Sequence, residues 1–183
     1  MGSSRRAFNY KYIPQGIDLN FLKYSEKRSI DLVSKYNLKN KSIVGYAGSV
    51  AKSNPLDTLI LAALKIVKKQ PSIHFCILGD GHTKDDLVKL SKDSPNISFI
   101  DRVTKEHVLS FLNACDVLYD SVQKKELYNF GLSRNKSMDY MYSKKPMIIS
   151  YSGYENITSK IHSGYISEAE DIDGLCNNLI KIY

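Results

Sequence analysis

This 183-residue sequence predicts an α/β fold, a doubly wound parallel sheet with helices on both faces, and three observations carry that prediction. From residue 42 onward, short apolar and β-branched runs alternate with segments of helical periodicity, the sequence form of repeated βα units. VLYDSV (117–122) and PMIISY (146–151) have the near-continuous apolar character of strands covered on two faces. Two earlier strands run straight into glycine turns, at Gly48 and at Gly79-Asp80-Gly81.

The elements follow in order. SIVGYAG (42–48) reads as a buried strand, and residues 55–70 as a helix with Leu56, Leu59, Ile60, Ala63 and Val67 on one face. Pro55 suits the first helical position and Pro71 follows the end. IHFCILGDGH (73–82) is a strand entering a turn, and KDDLVKLSKD a short amphipathic helix. ISFID (97–101) is the third strand. Residues 105–115 form a helix with Val108, Phe111, Leu112 and Cys115 together; strands follow at 117–122 and 146–151, with a helix over 135–143 between them. YISEAEDIDGLCNNLIKIY closes the chain with a strand and an amphipathic helix.

The first 40 residues differ in character. YKYIPQGID reads as an extended lead-in ending in a turn, and SEKRSIDLVSKYNL (25–38) as a helix with Ile30, Leu32 and Val33 apolar. Residues 1–9 read as a tag remnant or disordered lead-in, and 10–183 as one domain.

Composition narrows the function classes. Hydrophobic residues at 43% and charged residues at 25% are ordinary for a globular domain and exclude a disordered chain. Cys76, Cys115 and Cys176 have no CxxC spacing, so no disulfide framework or zinc site is expected. The four histidines lack metal spacing, and no GxSxG elbow marks a hydrolase. No apolar run reaches the roughly 18 residues of a membrane span, and the polar start is not a signal peptide; the cytoplasm is the expected compartment. The charge of +7 is spread over scattered lysines rather than a basic run, so no nucleic-acid partner is expected, while peripheral membrane contact stays open.

In open parallel sheets, ligands sit beyond the carboxyl ends of the strands, where strand order reverses. That rule selects the loops at 48–54, 79–81, 101–103 and 121–134. Gly48 and Ser49 are small enough for backbone amides to approach a phosphate, with Lys52 adding charge; a tight turn with a solvated lysine is the plainer alternative. Gly79 and Gly81 flank an aspartate, a pattern commoner in turns than in phosphate cradles. Ser133 and Asn135 stand at the amino end of helix 135–143, whose free amides and dipole favour an anion. Lys136 adds charge there. One turn on, Asp139 could accept hydrogen bonds from vicinal hydroxyls such as those of a ribose; the alternative makes Asn135 an ordinary cap and Asp139 a surface acid.

Taken together, these segments resemble the carboxy-terminal, nucleotide-sugar-binding domain of GT-B glycosyltransferases of group 1 (glycosyltransferase family 4). YIPQGID resembles the "iPNGvD" entry to that domain, and IVGYAGSVAKSNPLDTLILA its first strand, loop and helix. ILGDG and NISFIDRVTKEHVLSFLNACDVLYDSV resemble its "GdG" and "nv.f.G.v...ev...l..aDv" segments. FGLSRNKSMDYMYSKKPMI resembles the donor-binding motif in the "SPNK..dYm..gkP" version of bacterial polysaccharide-assembly enzymes.

The resemblance implies a Rossmann-like half of a retaining enzyme that uses a nucleotide-diphosphate-sugar as donor substrate, with no further cofactor and no metal. It implies diphosphate contacts near Leu132, Ser133 and Lys136, ribose contact at Asp139, and base contact at the Val103 backbone. It also implies a glycan or lipid-linked acceptor and a missing amino-terminal domain, without which this half binds but does not turn over. Two features depart from the pattern. Gly131 stands where the first motif acid belongs, eight residues before Asp139, and Gly48-Ser49 with Asn54-Pro55 replace a Gly-Arg and Lys-Gly pair. A non-catalytic nucleotide-binding, phosphate-binding or partner-binding module is therefore the alternative.

Overall fold

The computed structural model describes residues 15–27, 31–154, 158 and 162–183. Six strands, β1 (Ser42–Ala47), β2 (Ile73–Leu78), β3 (Ile97–Ile100), β4 (Val117–Ser121), β5 (Met147–Ser150) and β6 (Gly164–Ser167), form one sheet in the order β3-β2-β1-β4-β5-β6. Every pairing is parallel. β1 runs in full register with β2, from Ser42 against Ile73 to Ala47 against Leu78, but meets β4 only at Val44 with Val117 and Gly45 with Leu118.

Alternation along β1 divides the core into two layers. Val44 and Tyr46 point to one face, where α3 (Asp57–Ile66) and the C-terminal helix α7 (Ile172–Ile182) pack through Leu59, Ile60, Leu175 and Leu179. α4 (Lys84–Leu90) joins that face through Leu87. Ile43 and Ala47 point to the other, covered by α5 (Lys105–Ala114) through Phe111 and Leu112 and by α6 (Asn135–Tyr142) through Tyr140. Leu59, Ile60, Leu112, Leu175 and Leu179 are fully enclosed. Burying each contributes about 1.5–3 kcal/mol, so both faces matter to stability.

The amino-terminal part differs from the sequence expectation. In place of one helix over 25–38 there are α1 (Leu19–Glu26) and a single turn, α2 (Leu32–Lys35). Aspartates set both starts: Asp18 accepts the Phe21 amide at 3.0 Å and Asp31 accepts the Ser34 amide at 2.9 Å. α1 lies against α5. The expected lead-in is described only from Gln15, and residues 28–30 of the expected helix also lie outside the described residues. Pro55 is not the first helical residue either. The loop closes a turn first, the Asn54 amide donating to Ala51 at 2.8 Å, and the helix begins at Asp57.

Candidate functional site

Strand order reverses between β1 and β4, and their short pairing lets their carboxyl ends part. The Tyr140 hydroxyl fills the gap. It accepts the Ala47 amide at 2.9 Å and lies 3.3 Å from the carbonyls of Ala47 and Tyr119, tying both strands to α6. A cleft of about 740 Å³ opens above, bounded by the loops after β1, β2 and β3 and by the first turn of α6.

The glycine turns shape this cleft without offering their own amides to it. Gly48 donates to the Leu78 carbonyl at 3.0 Å, Gly79 to Ile100 at 3.0 Å, and Gly81 to its neighbour Asp80 at 2.8 Å. Gly79 has φ +146°, and a Cβ there would overlap the Gly48 carbonyl oxygen. Only glycine lets the two turns meet. At Gly48 (φ +155°) a Cβ would stand 2.9 Å from the Lys136 ammonium nitrogen, so this glycine makes room for a cation.

Unused donors lie instead at the start of α6. Arg134 is the N-cap, in extended conformation, and no side chain caps the first turn. Its amides therefore lack helical partners and carry the positive end of the dipole. Around them sits a buried charge cluster. Asp120, at the end of β4, is 2% exposed; its Oδ1 accepts the Ser121 amide at 2.9 Å and lies 3.3 Å from both Arg134 Nη2 and Lys136 Nζ. Arg134 also donates to the Ser121 carbonyl at 2.8 Å and to Asn54, while Asn54 donates to the Ser49 carbonyl at 3.0 Å. The β1–α3 loop is thereby fastened to the start of α6. Lys136 donates to the Tyr46 hydroxyl at 2.9 Å and lies 4.1 Å from that ring's centre. Burial pulls the Lys136 pKa down to about 8; Asp120 opposes the fall and Arg134 adds to it. Two cations against one carboxylate leave the cluster with a positive excess facing the cleft.

Farther along α6, Asp139 is half-buried, and burial raises its carboxyl above the ordinary range, with Lys105 partly opposing. Lys105 also reaches the Phe21 ring of α1, at 4.8 Å. Of the residues singled out in the sequence, Gly48, Ser49, Gly79, Val103, Ser133, Lys136 and Asp139 line the one cleft. Three do not. Lys52 borders a separate cavity of about 410 Å³ with Asp86 and Glu170, Gly81 packs at the Val50 carbonyl, and Leu132 packs beside Val122, Ile149 and Tyr151. Asp120 and Lys105 were not foreseen, and Asn54 and Arg134 only as members of the selected loops, without a role. Asp120 did leave a trace, as a lone carboxylate inside an otherwise apolar or small-residue strand. Among the described residues no group of three or more His, Cys, Asp or Glu could hold a metal ion, and no helix is long and apolar enough to cross a membrane.

A family model described as glycosyl transferases group 1 matches residues 41–183. No curated protein sequence matches the chain. Among solved structures, WaaG, a glycosyltransferase involved in lipopolysaccharide biosynthesis, shares 16% identity over 92% of this chain and 46% of its own, with a TM-score of 0.68. Anabaena HepE, solved with UDP and glucose, shares 15% identity over 91% of this chain and 45% of its own, at TM-score 0.65. The C-terminal domain of the group 1 family protein LpcC from Francisella tularensis shares 19% identity, with 91% of this chain and 87% of that domain covered, at TM-score 0.66. The chain thus spans less than half the length of WaaG or HepE.

Proposed function

The chain belongs to the GT-B glycosyltransferases of group 1 and has their Rossmann-like fold, and from that premise we propose that it is the donor-binding half of a retaining enzyme. An amino-terminal domain outside this chain would hold the acceptor, a glycan or a lipid-linked sugar of a bacterial surface polysaccharide. Support for a partner half comes from the lengths of WaaG and HepE, and support for the pathway from the role of WaaG in lipopolysaccharide biosynthesis.

One observation carries the reading: the uncapped first turn of α6, with Arg134 and Lys136 beside it, faces the cleft at the strand-order reversal. Amides and cations fixed in advance bind a diphosphate and stabilise the charge that grows on it as the sugar departs. Asp139 takes the ribose hydroxyls and the Val103 backbone the base. Gly131 supplies no carboxylate where the resemblance places the first motif acid, and this favours a second reading, a binding module without catalysis.

Titration calorimetry with uridine, guanosine and adenosine diphosphates tests the proposal. Saturable binding of at least one, weakened by removal of Lys136, is expected. No heat from any of them at millimolar concentration refutes the donor site.

A further inference from the structure

Asp120 is out of place in a site for anions. A buried carboxylate beside a phosphate position weakens phosphate attraction, and a carboxylate kept only for structure has both oxygens bonded. Here Oδ1 carries every contact, to Ser121, Arg134 and Lys136, while Oδ2 is buried without a hydrogen-bond partner. We propose that Asp120 is a positioning residue of the diphosphate site, holding Arg134 and Lys136 together as a charged pair at the start of α6. The claim rests on the donor-site reading above.

The geometry gives the reason. Both cationic side chains are only 16% exposed, and both reach the same Oδ1 at 3.3 Å. Without the carboxylate, two like charges would share a poorly hydrated space, and the lysine would shed its proton. Three groups face Lys136: Asp120 from β4, Arg134 from the N-cap of α6 and the Tyr46 hydroxyl from β1; Tyr119 and Tyr140 are further titratable groups near the carboxylate. Asp120 raises the Lys136 pKa and Arg134 lowers it.

The arrangement also supplies what the β1–α3 loop lacks. Ser49 and Asn54 stand where cations were expected, and Asn54 instead takes a hydrogen bond from Arg134. The cationic half of the site has moved to α6, and Asp120 is its anchor. The free Oδ2 lets the two cations re-pair when a diphosphate takes over part of their contacts, so neither is stranded.

Two readouts test this. In ligand-free protein, the Lys136 titration midpoint is followed by the carbon-13 shift of its side chain. Asp120→Asn should move the midpoint down and Arg134→Gln should move it up. In calorimetry at pH 7, Asp120→Asn should bind the preferred nucleoside diphosphate at least tenfold more weakly, although it removes a negative charge. An unchanged midpoint in both variants, or an Asp120→Asn protein that binds as tightly as the parent, overturns the proposal. If Asp120→Asn does not fold, Asp120→Ser is read in its place, a lowered Lys136 midpoint with weaker nucleotide binding supporting the proposal and unchanged values overturning it. Wild-type protein that binds no nucleotide refutes the donor site, while the ligand-free titration still decides the role of Asp120.

Discussion

Tyr140 holds the point where the two halves of the sheet separate, and replacing it with phenylalanine isolates that function. The ring is 1% exposed, so Tyr140→Phe keeps its packing and removes only the hydroxyl. The Ala47 amide, now bonded to that oxygen at 2.9 Å, is left buried with no partner. An orphaned buried donor costs about 1–3 kcal/mol. The carbonyls of Ala47 and Tyr119, each 3.3 Å from the hydroxyl, lose weaker contacts and add little. For a chain of this size, about 2–4 °C of melting temperature is lost per kcal/mol, so Tm should fall by about 2–12 °C. Thermal unfolding followed by circular dichroism reads the change. Tyr142→Phe is the control: its hydroxyl bonds Glu26 at 2.9 Å in an exposed pair, where water replaces the lost contact, and no resolvable change in Tm is expected. A Tyr140→Phe protein that melts within about 1 °C of the parent, or a control that loses as much, refutes the reasoning.

Three more expectations follow from the same geometry. Gly79→Ala should cost more than about 3 kcal/mol in urea unfolding, because the new Cβ overlaps the Gly48 carbonyl at a φ that disfavours side chains; a loss under 1 kcal/mol would contradict the packing of the two turns. Burial raises the folded-state pKa of Asp139, so its ionised form is destabilising, and this penalty is absent at low pH and appears as pH rises through the shifted range. Asp139→Asn should therefore stabilise the protein at pH 7 and not at pH 3, while weakening nucleotide binding by about 1–3 kcal/mol; unchanged affinity removes Asp139 from the site. Lys52→Ala should leave affinity within about twofold, since Lys52 borders a different cavity; a tenfold loss would return it to the donor site.

Periodicity and apolar runs made the architecture legible. The buried runs of β1, β4 and β5 and the amphipathic helices are all local signals, and the strand ends fell within a few residues of their expected positions. The amino-terminal helices were less legible because single aspartate caps, at Asp18 and Asp31, outweighed the apolar spacing of residues 25–38. Within the site, sequence could place the start of α6 but not the assignment of donors. Nothing local reveals that the Gly48 and Gly79 amides bond to neighbouring strands, or that Gly48 is small to admit Lys136. Arg134 and Asn54 are 80 residues apart, and only the fold makes them partners.

The central claim is that the first turn of α6 supplies the anion-binding donors. Backbone amide shifts recorded by nitrogen-15 NMR during titration with uridine diphosphate test it most directly. The largest changes are expected at residues 133–137, with small ones at 79–81. Shifts concentrated around Lys52 and Glu170, or none near α6 at saturation, would contradict it.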